Sequence, residues 1–245
     1  MVRTADYETR RRAILAAAIN AYIKEAVPVS SEDIARAFAL SSATIRNIFA
    51  ELEESGYLTH PHTSAGRVPT HKGYRYYVDF LLSQIELLDA QKESIVREYK
   101  REINRLEDAL ERTSEVLSIS THYAGIVSFL EWQDRIFYKG ISYILDDPDF
   151  QDVQRMRILL RMIEDKRHLL KIINRDIKEK VKVYIGEELE CGEMKNCSLV
   201  VCSYRVNSQA VGRVAVLGPV RMKYAYIIPA LEYVSDTLTH VLDEF

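Results

Sequence analysis

Apolar side chains recur at three- and four-residue steps through residues 7–26. Ile14, Leu15, Ala18, Ile19, Tyr22 and Ile23 therefore share one face of a helix. Pro28 ends it. A second helix is expected from Ser30 or Ser31, either of which can cap, with Glu32 and Asp33 at the positive end of its dipole and Ile34, Ala35 and Phe38 inside. Ser41 or Ser42 caps a third helix that runs to about Ser55. Its stripe of Ile45, Ile48, Phe49 and Leu52 follows the i, i+3, i+4, i+7 pattern, and Gly56 stops it. Tyr57–Thr59 reads as a short strand and residues 60–70 as a turn followed by extended chain. Thr70 caps a fourth helix that carries Tyr74, Tyr77, Val78, Leu81 and Leu82. Three helices and then strand–loop–strand is the order of a winged helix-turn-helix.

Residues 83–118 contain no Gly or Pro. Ile85, Leu88, Ile95, Tyr99, Ile103, Leu106, Leu110, Thr113 and Leu117 form a narrow seam on an otherwise charged surface, which predicts one long helix. Such a seam needs a partner, and a second copy of the helix is preferred over the chain's own second domain. After Ser118 the pattern changes. Strands are expected at 124–130, 135–141, 181–185, 198–204 and 211–217, the last two joined by a hairpin over Asn207-Ser208-Gln209. Helices are expected at 150–173 and 224–242. The fold class is α+β: a winged helix-turn-helix over 1–82, a linker or dimerisation helix over 83–118, and a mostly antiparallel sheet with helices over 119–245.

Composition adds little to this picture. Hydrophobic residues at 47% and charged residues at 28% describe an ordinary globular chain. The net charge is −3, and residues 1–83 hold ten Lys/Arg against nine Asp/Glu, a balance of +1. DNA affinity must then come from where cations are placed, since bulk charge does not supply it. Cys191, Cys197 and Cys202 lack metal-ligand spacing and read as reduced, packed thiols. No apolar run reaches the roughly 20 residues of a membrane span, so a cytoplasmic protein is expected.

The third helix carries the candidate chemistry. With its stripe turned inward, Ser42, Ala43, Thr44, Arg46 and Asn47 are left at the exposed start, the part that meets base edges in the major groove. Arg forks onto guanine and Asn onto adenine. In the loop, Gly66 permits a tight tip and Arg67 is placed to enter a narrow minor groove. Thr63, Ser64, Lys72 and Arg75 suit phosphate. His60, His62 and His71 lack a carboxylate or thiol companion at metal spacing, so no metal and no cofactor is expected. Asp146, Asp147 and Asp149 around Pro148 read as a turn and cap, and no nucleophile–base set marks an enzyme.

Several stretches, Pro28–Ser31, Ser42–Asn47, Glu51–Leu58, Pro61–Thr70 and Lys72–Asp79, closely resemble the heat-inducible transcription repressor family (HrcA). Gly186–Glu188, Cys197–Val200, Val211-Gly212 and Leu217–Ala225 are similar to that family's C-terminal half. The resemblance implies a GAF-like fold for this half. It implies a homodimer on an inverted-repeat operator, called CIRCE, upstream of chaperone operons, and the GroEL chaperonin as a further partner. A ligand-responsive regulator that uses the GAF-like domain as a small-molecule sensor is the alternative. A protein-interaction module that kept the winged fold but lost DNA is another. This sequence departs from the family in length. About Thr121–Lys139 stands where members carry an extra stretch, including part of the GAF-like sheet and an inserted dimerisation domain. Ser42 replaces a usual proline and Ile48 a usual acidic residue.

Overall fold

A computed structural model describes residues 2–61, 66–81, 85–99, 106–132, 135–150, 152–207 and 209–243. The chain divides into two compact units, Met1–Gln84 and Ile85–Phe245. Among the described residues no helix is long and apolar enough to cross a membrane.

The first unit begins with α1 (Val2–Glu25), which buries Ile14, Leu15, Ala18 and Ile19. Then come α2 (Ser31–Phe38) and α3 (Ser42–Glu54). Ser30 caps α2 by accepting the Asp33 N–H at 3.1 Å, and Ser41 caps α3 by accepting the Thr44 N–H at 3.1 Å. In each case the earlier of the two candidate serines is the cap. α3 buries the expected Ile45, Ile48, Phe49 and Leu52. It ends in a Schellman turn: the Tyr57 N–H donates to the Leu52 carbonyl at 2.9 Å and the Gly56 N–H to Glu53 at 2.8 Å, with Gly56 at φ +74°. β1 (Leu58–Thr59) pairs antiparallel with β2 (Val68–Pro69). Thr70 then caps α4 (His71–Leu81) by accepting the Gly73 N–H at 3.1 Å, and Tyr74, Tyr77 and Val78 are buried.

The second unit is built on one antiparallel sheet of five strands: β3 (Ala124–Phe129), β4 (Ile136–Lys139), β5 (Val181–Ile185), β6 (Cys197–Val206) and β7 (Gln209–Pro219), in the order β4-β3-β7-β6-β5. Helices α5 (Asp89–Tyr99), α6 (Leu106–Thr121) and α10 (Tyr224–Asp243) pack together, α6 and α10 lying directly on the sheet. Gly125 of β3 sits against α6 so closely that a Cβ there would collide with the Ser114 carbonyl. The alternate residues Ala124, Ile126, Leu199, Val201, Ala215 and Leu217 join a core on the other face. That core is closed by α7 (Ile141–Leu145), α8 (Val153–Glu164) and α9 (Lys166–Ile173). Burial pushes the Cys197 thiol up to about 12 and the Cys202 thiol up to about 11, so both stay protonated in this packing.

Two expectations change. The seam over 83–118 does not lie on one straight helix. The Tyr99 hydroxyl donates to Thr113 Oγ1 at 2.8 Å, and Arg112 Nε donates to the Glu98 carbonyl at 2.6 Å. Fourteen residues of continuous helix would separate such groups by about 21 Å, so α5 and α6 form a hairpin. Ile95, Tyr99, Leu110, Thr113 and Leu117 are buried within this unit, so the chain's own second domain covers the seam in place of a second copy of the helix. Ile103 lies outside the described residues. Second, the expected helix over 150–173 breaks at Asp165, whose carboxylate caps α9 by accepting the His168 N–H at 3.1 Å. The strands expected within Thr121–Lys139 are present as β3 and β4 at one side of the sheet.

Arg112, 8% exposed, holds the hairpin through the Glu98 carbonyl and carboxylate on α5, while Glu115 on its own helix pairs with the same guanidinium. Arg112→Ala should cost about 2–3 kcal/mol, since hydrogen bonds to charged groups are worth about 1.5–3 kcal/mol. Hydrogen exchange should speed up in 89–99 while β6 and β7 stay protected. Equal exchange in α5 would show that this arginine does not hold it.

Candidate nucleic-acid interface

The stripe that buries α3 also decides what that helix shows to solvent. Ser42 is half-buried, while Ala43, Thr44, Arg46 and Asn47 are exposed. Thr44 Oγ1 is 2.8 Å from Ser41 Oγ within the cap, and Arg46 makes a weak contact of 3.3 Å from Nε to the Ser42 carbonyl. The guanidinium of Arg46 and the amide of Asn47 are thus presented on the first two turns, one residue apart. Both are hydrogen-bonding groups with the fork geometry that reads base edges.

α3 is held in place at its far end. Tyr7 of α1 donates to both Glu51 carboxylate oxygens, at 2.8 and 2.7 Å, and Arg11 donates to Ser55 Oγ at 2.7 Å. The hydrogen bond to Glu51 raises the Tyr7 pKa. Lys72 Nζ donates to the Ser55 carbonyl at 2.8 Å, over the Tyr57 ring, and so places a cation at the negative end of α3.

The wing has a feature that local pattern does not reveal. Val29, in the link between α1 and α2, pairs with Arg67: Val29 N–H to the Arg67 carbonyl at 2.8 Å, and Arg67 N–H to the Val29 carbonyl at 2.9 Å. A Cβ on Gly66 would collide with the Val29 carbonyl. Gly66 is therefore required for close backbone approach at the base of the wing, and the expected role in a tight tip is replaced by this one. The Arg67 side chain is correspondingly not free. Its Nη2 lies 2.9 Å from Glu53 Oε2, and Glu53 Oε1 also meets His60 Nδ1. Glu53 thus ties α3 to the wing. His60 finds a carboxylate after all, but one shared with an arginine, and no group of three His, Cys, Asp or Glu side chains suited to a metal occurs among the described residues.

Comparison with known proteins agrees with this geometry. Residues 7–79 match the model of the winged helix-turn-helix transcription repressor HrcA DNA-binding domain. Residues 128–228 match the HrcA protein C-terminal domain. The chain belongs to the HrcA family. The heat-inducible transcription repressor HrcA of Desulforudis audaxviator is 29% identical, over 97% of this chain and 98% of that protein. That of Geobacter sulfurreducens is 28% identical, over 97% and 99%. A solved structure described as a hypothetical protein, 20% identical, superposes with a TM-score of 0.81 over 96% of this chain and 98% of that one, which speaks for the fold. The alignment with the Desulforudis protein has 338 positions, so at least 93 of them (338 less 245) have no residue in this chain. This member of the HrcA family is short, as its sequence suggests.

Within the HrcA winged helix, the expected site residues separate into two groups. Ser42, Thr44, Arg46 and Asn47 stand together at the start of α3. Arg67, Lys72 and Arg75 are engaged by the protein itself, Arg75 through Asp79 at 3.4 Å. Thr63, Ser64 and His62 lie outside the described residues. A double-mutant cycle on Glu53→Ala and Arg67→Ala should give a coupling of about 0.5–3 kcal/mol in the stability of this unit, the range for directly contacting residues. Strictly additive losses would mean that the pair does not act as a unit.

Proposed function

We propose that this chain is a heat-inducible transcription repressor that binds an inverted-repeat, CIRCE-type operator upstream of chaperone operons as a homodimer. The observation that carries the reading is the exposed Thr44, Arg46 and Asn47 at the start of α3 in an HrcA winged helix. Arg46 takes a guanine and Asn47 an adenine in the major groove, while Ser42, Thr44 and the wing residues Thr63 and Ser64 take phosphate. Lys72 stabilises α3 from its far end. Arg67 reaches DNA by exchanging Glu53 for a phosphate, and Arg75 by leaving Asp79. A two-fold operator calls for two copies of the chain. The α5–α6 seam is filled internally, so the copies meet through another surface. The family likeness alone supports the GroEL chaperonin as a further partner and the cytoplasm as the place of action. A small-molecule sensor is not favoured, since the sheet face under α7, α8 and α9 is filled by side chains.

The test is a gel shift of the full chain on the upstream region of a chaperone operon and on a scrambled duplex. Wild type should prefer the operator. Arg46→Ala and Asn47→Ala should each lose about 1–3 kcal/mol of that preference, with thermal stability nearly unchanged because both side chains are exposed. Equal binding of operator and scrambled duplex by the wild type would refute the assignment.

A further inference from the structure

The charge of the second unit is unevenly placed. Residues 153–182 hold ten Lys/Arg and four Asp/Glu, a balance of +6. The other residues of 85–245 hold thirteen Lys/Arg and twenty-three Asp/Glu, a balance of −10. The fold sorts these cations further. Arg175 is held by Glu190 at 3.0 Å, Lys180 by Asp236 at 3.4 Å and Lys182 by Glu179 at 3.0 Å. Arg157 and Arg161, one turn apart on α8, and Lys166 and Lys171 on α9 are exposed and have no carboxylate within ion-pair distance among the described residues. The acids beside them are Glu164, exposed at the end of α8, and Asp165, occupied in capping α9. Like charges four residues apart on a helix repel, so Arg157 and Arg161 carry a small cost that a polyanion offsets. Val153 and Leu160 are exposed on the same side of α8.

We propose that this outer face of α8 and α9 is a second, sequence-independent binding surface for the phosphate backbone of DNA. The inference rests on the DNA-binding reading above. The winged unit is nearly neutral, and Arg11, Arg36, Arg67, Lys72 and Arg75 are each engaged by a carboxylate, hydroxyl or carbonyl of the same unit. Duplex affinity scales with the number of phosphates neutralised and counterions released. The recognition helix supplies discrimination but few free cations, and α8 and α9 supply the cations without base-reading geometry. An acidic protein surface is the competing partner. DNA is favoured because the winged helix already brings this chain to a polyanion, which raises its local concentration for any second site.

The experiment measures binding of the full-length protein to an operator duplex and to a random duplex over a range of salt. The variant is Arg157→Gln, Arg161→Gln, Lys166→Gln and Lys171→Gln together. Random-duplex affinity at low salt should fall by about tenfold or more. The slope of log affinity against log salt should become shallower by about 0.9 for each phosphate left without its cation, so by up to about 3.6 if all four cations contact phosphate. The ratio of operator to random binding should stay the same. Arg157→Lys with Arg161→Lys keeps the charge and should keep the slope, which separates charge from folding. An unchanged slope in the fourfold variant overturns the proposal. So does a result in which that variant loses only its binding to a polyglutamate peptide, since the face would then serve an acidic protein. Failure of the wild type to prefer its operator would instead strike the recognition-helix reading, and it leaves the salt slope interpretable.

Discussion

The burial of Ile45, Ile48, Phe49 and Leu52 on one stripe of α3 is the constraint on which the exposed face of that helix depends. A helix has one rotation about its axis. Once four apolar side chains are committed to the interior, residues 43, 44, 46 and 47 are turned to solvent. The caps set the axial limits, with Ser41 at the start and Gly56 at the stop. Tyr7, Arg11 and Lys72 then hold the far end, so the first two turns are presented on a braced element.

Electrostatics works in the opposite sense to a simple basic patch. Glu51 and Glu53 draw the unit's cations inward, and Glu53 alone meets both Arg67 and His60. A carboxylate between the recognition helix and the wing restrains Arg67 in the free protein and competes with phosphate for it. Under the function proposed above, that competition would lower bulk affinity more than discrimination, because neither Arg46 nor Asn47 contacts Glu53.

Strands β3 and β4 arise from the short central segment, and β3 takes its place between β4 and β7. Arg213 in β7 is fully buried, where burial lowers its pKa, and it donates to the carbonyls of Arg175 and Asp176. Ser203 of β6 donates to the carbonyls of Ile177 and Glu179 at 3.1 Å each. These buried donors join the Tyr184 hydroxyl, which donates to the Arg175 carbonyl at 3.2 Å, and the Glu179 N–H, which donates to Asp176 at 2.9 Å, in pinning the loop between α9 and β5.

The four helices of the winged unit, the caps, the buried stripes, the approximate strand positions and the exposed Thr44, Arg46 and Asn47 could all be read from the chain alone. Each depends on neighbours three to five residues apart, or on side chains alternating along one element, and such spacings are written in the order of residues. The break at Asp165 is local too, but Asp favours a turn or a cap only weakly inside an apolar pattern. What the tertiary structure decided is which partner each exposed-looking group meets. Arg67 with Glu53, Lys72 with Ser55, Val29 with Arg67, and Tyr99 with Thr113 join residues 14 to 38 positions apart. Nothing in residue spacing distinguishes an arginine free for phosphate from one closed on its own carboxylate, because that difference is set by how separate elements pack in space.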